Sequence, residues 1–483
     1  MRLDAGEGIE RKRMNIPVQN DVVVLGGGLA GHCAALAAAE HGATVLLLEK
    51  TPNYGGSSVQ AAGSFAFACT DAQREMGIED SEEMLEQDIV SASGNRADPV
   101  LVRRYVDLQA DTYAWLKRQG VEFHKIALSS NMSVPRTHPT NPRQLLDALH
   151  AKVMSNARIT YVPSVAASRL LRTGHGSAVT VNGVLAGAAT NAIEVNARGG
   201  VVLAAGGFSR NPQLIERFSP QMAKAMPAGG ASNVGDGLLM GWSVGADLLD
   251  MSFVNGTFGM GLTRYPDLHL YAEDEALLRL AIYKGAIAVN LEGRRFADES
   301  MSYKTLGEIC LRQPKAIGFQ IFDQKVMDQS EPAPNSHDLA DAYKKGLVRK
   351  AASISELAGM LDINAGELER TVARYNEGVK KGKDDDFGRV ALSKSVGKMV
   401  ALDTAPYYGF PCATAVLATY CGLRVNADMQ VLNVYAEPIE GLYAAGELVG
   451  GFHGAGYMSG TALGKAAIFG RVAGRVSAER AAR

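Results

Sequence analysis

The chain has 483 residues, 47% of them hydrophobic and 21% charged, and a formal net charge of −2. That is ordinary globular composition for two or three domains. The charge balance and the lack of a polybasic cluster argue against a nucleic-acid partner or an anionic membrane surface. No apolar run reaches the roughly 20 residues that span a bilayer. Residues 1–19 form a charged lead-in without an apolar signal core and are expected to be poorly ordered. The five cysteines, Cys33, Cys69, Cys310, Cys412 and Cys421, include no CxxC pair. Their scatter argues against an iron–sulfur cluster, a structural zinc or attached haem, so no metal site is expected. Free thiols fit a reducing cytoplasm, and buried small hydrophobes are their expected role.

Residues 22–25 are a valine-rich run that reads as a buried strand. The turn Gly26-Gly27-Gly28-Leu29-Ala30-Gly31 leads into an alanine-rich helix up to Glu40, and a second apolar run, 44–48, ends at Glu49. This is the β-α-β dinucleotide unit. Gly26 makes the turn, Gly28 lets a pyrophosphate approach the backbone, and Gly31 lets helix and strand pack closely. Phosphates would rest on the helix N-terminus, and Glu49 stands where an acid meets a ribose hydroxyl. A bare glycine pattern is weak, but here strand, helix, second strand and acid all fall in place. The chain is read as binding a dinucleotide.

The loop 54–64, with Gly55-Gly56-Ser57-Ser58 and then Ala62-Gly63-Ser64, offers small residues and hydroxyls that suit a flat ligand. Helical spacing follows at 81–93, 99–119 and 142–153. Strand character appears at 158–163 and 178–195, with Asn182-Gly183 read as a turn. Residues 200–208 form another buried strand ending in glycines, and Gly235-Asp236-Gly237 opens a helix over 238–245. From about residue 251 aromatics and charges mix with glycine and proline. Helix-like runs at 354–361 and 365–380 lie in this part, and 380–386 reads as a charged, exposed loop. Strand-turn-strand character returns from about residue 404, and a helix over 461–476 closes the chain. The predicted organisation is a lead-in (1–19), a cofactor domain in two parts (20–250 and 401–483), and a domain inserted at 251–400.

Gly26 to Gly31, Glu49-Lys50, Gly55-Gly56-Ser57-Ser58, Ala205-Gly206-Gly207-Phe208, Gly235-Asp236-Gly237, Arg295-Phe296-Ala297-Asp298-Glu299 and Gly441 to Glu447 together resemble one flavoprotein family. It is that of the fumarate reductases, succinate dehydrogenases and 3-ketosteroid dehydrogenases, and the resemblance runs from about residue 20 to the C-terminus. It implies an α/β fold: a Rossmann-like (glutathione-reductase-type) FAD domain split in sequence, with an inserted α+β capping domain. It implies FAD contacts at Gly26, Gly28, Leu29, Ala30, Gly31, Glu49 and Lys50. Further contacts are implied at Gly56, Ser57, Ser58, Ala62, Gly63, Ser64, Val165, Ala205, Gly206, Gly207 and Asp236. The last are Gly446, Glu447, Gly460, Thr461, Ala462 and Leu463. Gly56-Ser57-Ser58 stand where members with a covalent link carry a histidine, so the FAD is expected to be non-covalent. The last helix, entered through glycine, would aim its N-terminus at the flavin pyrimidine edge. Glu447 is expected to meet a ribityl hydroxyl.

Members acting on dicarboxylates grip the substrate with a histidine and arginines. Ala418 stands at the histidine position, and Tyr457 and Tyr303 at two arginine positions. A phenol lacks the fork that holds a carboxylate, which argues against fumarate or succinate. Tyr457-x-Ser459-Gly460 instead resembles an element of the ketosteroid 4-ene dehydrogenases. The resemblance implies hydride exchange between a substrate C–C bond and the flavin, as desaturation of a ketone, possible for a 3-ketosteroid or another cyclic ketone, or reduction of the enone. Tyr457 would polarise the carbonyl oxygen with help from Ser459, and Tyr303 would be the acid/base. Arg294 and Arg295 are read as surface or hinge charges, His453 as a structural contact beside the flavin, and His138 as a residue that shapes the site. The alternatives are a carboxylate-specific member with a different anion site and a non-catalytic flavin electron-transfer subunit. The partners expected are a small-molecule substrate and an unidentified electron acceptor or donor.

Overall fold

The first strand, β1 (Gln19–Leu25), is buried from Val22 onward except for its outward edges, as a run of β-branched residues in a covered sheet must be. It belongs to a computed structural model that describes residues 16–174, 179–187, 192–254, 256–267, 277–332, 335–393 and 397–483. The expected lead-in therefore lies almost wholly outside the described residues. Helix α1 (Leu29–Glu40) follows the glycine turn, and β2 (Val45–Leu48) pairs parallel with β1. All of α1 but its last residue is buried, because the sheet covers one side and the C-terminal helix the other.

The chain then adds β3 (Ile159–Val162), β4 (Ala167–Thr173), β5 (Thr180–Ala186) and β6 (Ile193–Leu203). The expected turn at Asn182-Gly183 is overturned, because both residues lie inside β5. Gly183 has ordinary extended backbone there. A Cβ on it would stand 2.1 Å from the Val195 carbonyl oxygen of β6, so the glycine serves close strand approach rather than a turn.

Past α2 (Asp236–Ser243) a second sheet forms. Its strands are β7 (Met226–Pro227), β8 (Thr257–Gly261), β9 (Ile287–Val289), β10 (Ile317–Asp323), β11 (Arg349–Ala351) and β12 (Tyr407–Val416). The order is β8-β12-β10-β9, antiparallel, with β7 and β11 also on β12. Helix α3 (Tyr303–Cys310) packs against β8 and β12. The chain returns to the first sheet with β13 (Gln430–Leu432) and β14 (Pro438–Ala444). In that sheet β3, β2, β1, β6 and β14 run parallel side by side. Each sheet has its own apolar core, and the second runs from Met226 to Ala415, on both sides of the 251–400 interval.

Each domain buries a charge cluster, and that of the second differs from the sequence expectation. Within 380–386 Asp384 is buried, and Arg295 is not a surface charge. Arg295 meets Glu299 at 2.6–2.8 Å and Asp384 at 2.9 Å, while Arg389 reaches Glu299 at 3.3 Å. Two arginines and two carboxylates thus cancel inside the second domain, which is how charge survives burial. Arg294 alone is exposed. In the first domain, buried Arg136 forks onto Asp80 at 2.7 and 2.8 Å and also meets Asp88.

The last helix, α4 (Thr461–Ala481), lies along α1. Cβ atoms on Gly470 and Gly474 would fall 2.4 and 2.1 Å from the Ala30 and Ala34 carbonyl oxygens. The matching order shows that the two helices run parallel. With a rise of about 1.5 Å per residue, the α4 N-terminus reaches about 12 Å beyond that of α1. Two positive helix ends therefore face one side of the sheet at different depths.

Candidate active site

One continuous cavity runs between the two domains, from the glycine turn to a group of aromatic side chains. At the turn Gly26 has φ 114°, and a Cβ on Gly31 would stand 1.8 Å from the Gly26 carbonyl oxygen, so α1 can follow β1 so closely only with glycine there. A Cβ on Gly28 would meet no neighbour nearer than 3.5 Å, which leaves that face open to the cavity. Glu49 holds the loop: it accepts from Gly27 N at 2.7 Å and from Thr51 N and Oγ1 at 2.8 and 2.7 Å. Ser58 Oγ accepts from Leu29 N at 3.1 Å. Buried His32 braces the turn from behind. Its Nδ1 donates to the Gly28 carbonyl at 2.9 Å, so its Nε2 is left to accept from His150 Nδ1 at 3.0 Å.

Further along, Lys50 and Asp236 form an ion pair at 2.5 Å on the cavity wall. Ser57, Gly229 and Gly230 make a tight shelf, since Ser57 Oγ accepts from Gly230 N at 2.9 Å. Glu447 accepts from Thr419 N at 2.8 Å and is reached by Asn233 Nδ2 at 3.3 Å. Asn233 also lines the cavity, and its Oδ1 is buried without a partner. An orphan acceptor beside an open turn and a helix N-terminus fits the hydroxyls and phosphates of a dinucleotide.

The far end is aromatic. Tyr457 stacks tilted on Tyr420 at 5.0 Å, and His453 stands within 5.4 Å of both rings. The Tyr457 hydroxyl oxygen accepts from Gly460 N at 3.1 Å, at the entry to α4. Burial pushes that phenol up to about 12, against the pull of the backbone at Gly460 and Ala462. Tyr303 opens α3, and burial lifts its phenol well above 10, aided by Tyr457 and Tyr283. Ser459 opposes that shift. Thr461 Oγ1 gives its proton to Met458 O at 2.6 Å, so His453 Nε2 must donate to it at 3.1 Å and Nδ1 is left bare. Burial, with Lys465 and Lys304 nearby, holds that imidazole neutral.

Of the residues expected at the cofactor, Gly26, Gly28, Leu29, Ala30, Glu49, Lys50, Gly56, Ser57, Ser58, Ala62, Gly63 and Ser64 line the cavity. So do Val165, Ala205, Gly206, Asp236, Gly446, Glu447, Ala462 and Leu463, and of the expected catalytic groups Tyr303 and Tyr457. Gly31, Gly207, Ser459, Gly460 and Thr461 stand behind this surface. Gly207 is required there, because a Cβ on it would stand 2.3 Å from Glu447 Oε1. His138 does not line the cavity. It packs among Phe67, Tyr113 and Phe123 and bonds Thr70 at 2.8 Å, behind the strand that carries Ser64.

Sequence reasoning missed Asn233, Thr257, Lys304 and Tyr420, all of which line the cavity. Only Lys304 had a signal, as the neighbour of Tyr303. Tyr420 is held at φ 60°, a left-handed backbone that nothing in its local sequence announces. Among the described residues no helix is long and apolar enough to cross a membrane.

Comparison with known proteins agrees with this geometry. A family described as FAD binding domain matches residues 21–463. The NADH:fumarate oxidoreductase of Klebsiella pneumoniae (strain 342) is 31% identical over 96% of this chain, which spans 48% of that protein's length. The vinyl phenol reductase of Lactiplantibacillus plantarum (strain ATCC BAA-793 / NCIMB 8826 / WCFS1) is 31% identical over 95% of this chain and 96% of its own. The open conformation of a flavocytochrome c3 fumarate reductase superposes with a TM-score of 0.82 at 28% identity, covering 96% of this chain and 79% of that one. The 3-ketosteroid-delta4-(5alpha)-dehydrogenase of Rhodococcus jostii RHA1, in complex with 4-androstene-3,17-dione, gives 0.73 at 25% identity, covering 97% and 98%. A match over nearly the whole chain, on a fold whose glycine turn, acid and split sheet are in place, settles the family: the chain belongs to the FAD-binding flavoproteins of the fumarate reductase type and is an FAD-dependent oxidoreductase.

Proposed function

We propose that the protein exchanges two hydrogens across a carbon–carbon bond next to a carbonyl, as a ketone desaturase or an enone reductase. The observation that carries this is the Tyr457 hydroxyl. Its oxygen already accepts from the Gly460 amide at the α4 N-terminus, so its own proton is free for a substrate oxygen. A donor held by backbone amides and a helix dipole strengthens as that oxygen gains enolate charge. Tyr420 and Met260 give the cavity the apolar walls that a neutral cyclic substrate needs. Relatives include a vinyl phenol reductase and a ketosteroid dehydrogenase beside fumarate reductases, so the preference over dicarboxylates rests on Tyr303 and Tyr457 standing in place of arginines.

Gly26, Gly28, Ser57, Asn233 and Glu447 would hold the FAD, without a covalent bond because residues 56–58 include no histidine. Bound FAD supplies the hydride acceptor or donor. Tyr457 orients the substrate oxygen, and the two domains close the cavity to water. An electron carrier from outside completes the cycle. The free thiols favour a cytoplasmic setting.

One observation favours a second reading. Lys304 is a buried cation in the cavity, and a carboxylate substrate would pair with it. Anaerobic titration of the flavin absorbance separates the two. Bleaching by ketones, or reoxidation of the reduced flavin by enones, supports the first reading. A response confined to carboxylates overturns it.

A further inference from the structure

Lys304 stands in the cavity unused by the ketone reading. It is the second residue of α3, after the Ser302 cap, and its side chain is buried. Nζ donates to Thr257 Oγ1 at 2.6 Å, and among the described residues it forms no ion pair. Around it lie the rings of Tyr420 at 4.8 Å, Tyr303 at 5.5 Å and Tyr457 at 5.7 Å. The other ionisable groups that face it are Glu447 and neutral His453. With a single hydroxyl as partner, the amine keeps N–H bonds, or a lone pair, for the cavity. It shares that space with Tyr457, the proposed donor to the substrate oxygen.

We propose that Lys304, rather than Tyr303, exchanges the proton at the substrate carbon next to the carbonyl, an inference that rests on the ketone–enone reading. In dehydrogenation the Cα–H bond breaks, its proton bonds to the Nζ lone pair, and the hydride leaves Cβ for the FAD. In reduction the hydride that FAD supplies goes to Cβ, the π pair moves onto the carbon–oxygen unit, and an N–H bond of the ammonium breaks as Cα–H forms. The hydride and the Lys304 proton together bring two electrons and two protons to the substrate, and water recharges the amine. Tyr457 bonds the oxygen throughout. Tyr303 forms part of the aromatic wall.

Protonation states support the geometry. Burial brings the Lys304 ammonium down to about 7, with Glu447 opposing the shift, so both forms are populated at neutral pH. The Tyr303 phenol is pushed the other way, well above 10, which removes it as a base.

The test uses the FAD-loaded protein and its Lys304→Met, Lys304→Gln and Tyr303→Phe variants, each checked for flavin content. Lysines labelled with carbon-13 at Cε are titrated by NMR, and flavin reduction or reoxidation is followed against pH with the ketone or enone that the wild type accepts. A lysine signal titrating near neutrality should vanish in Lys304→Met, while that of Lys465, which burial lowers to about 8, should remain. Both Lys304 variants should slow the flavin reaction by about 100-fold or more and lose the ionisation near pH 7, with ligand Kd little changed. Tyr303→Phe should keep that ionisation. The proposal is overturned if no lysine signal that vanishes in Lys304→Met titrates below about pH 9, if Lys304→Met reacts within roughly threefold of wild type, or if the loss lies wholly in Kd, as for an anion anchor. A wild type inert to every ketone and enone overturns the underlying reading and this inference with it. A reactive wild type with a reactive Lys304→Met overturns this inference alone.

Discussion

Tyr457 and Gly460 are three residues apart, and the phenol oxygen of the first accepts the amide proton of the second at 3.1 Å. The side chain expected to face the substrate thus also holds the amide of Gly460, the N-cap of α4, so cavity chemistry and helix geometry share one atom. Tyr457→Phe keeps the ring against Tyr420 and His453 but removes that oxygen. The flavin reaction with ketones or enones should fall by roughly 100-fold or more, as when an oxyanion donor is lost. Stability should fall by only about 1–2 kcal/mol for the Gly460 amide left unpaired. Anaerobic stopped-flow absorbance, with bound FAD as the check on folding, measures both. An unchanged rate removes Tyr457 from the mechanism.

At the opposite end of the cavity, Gly31→Ala should abolish FAD retention. Its Cβ would stand 1.8 Å from the Gly26 carbonyl oxygen, and that atom is backbone with no room to yield. Gly42→Ala is the control for the loss of a glycine, since a Cβ there meets nothing within 4 Å although its φ of 86° carries some strain. Flavin content after gel filtration reads the difference.

The buried cluster in the second domain predicts a stability effect without a direct catalytic one. Glu299→Gln leaves Arg295 and Arg389 with only Asp384 between them. Breaking such a pair costs about 3–5 kcal/mol. Urea unfolding should show the loss in midpoint, and Glu292→Gln, on the exposed Arg294, should show almost none.

Acid should destabilise the fold through its buried histidines. Burial lowers both His32 and His138 to about 4 from the ordinary 6.5. Between those values the unfolded chain takes up protons that the native one refuses. Stability is therefore fully present above pH 6.5 and falls as pH drops toward 4, by up to about 1.4 kcal/mol per pH unit for each histidine. Unfolding free energies measured from pH 7 to 4.5 should show this slope, and His138→Gln should reduce it. An unchanged slope in that variant rules out His138 as a source.

Much of the fold was legible because its signals are local. The helix expected at 354–361 spans Ile354–Leu361, and the helices at 99–119 and 142–153 fall within two residues of Pro99–Arg118 and Pro142–Ser155. Apolar spacing, proline at N1 and capping side chains carry that information within one or two turns. Asn182-Gly183 failed because a glycine reads alike whether it turns the chain or admits a neighbouring strand. Asp384 and Arg295 failed for a related reason. A run of charges looks solvated until a partner 89 residues away neutralises part of it.

The sequence by itself determined the dinucleotide unit and the motifs that mark the family. Each is written in contiguous residues whose chemistry follows from type and spacing. Tertiary structure alone decided that Tyr457 holds the Gly460 amide at the start of the last helix and that Lys304 enters a ring of three tyrosines. Those relations join α3, the loop after β12 and the start of α4. Their energies come from burial and from distances between segments far apart in the chain, where desolvation moves a lysine toward neutrality and a phenol away from it.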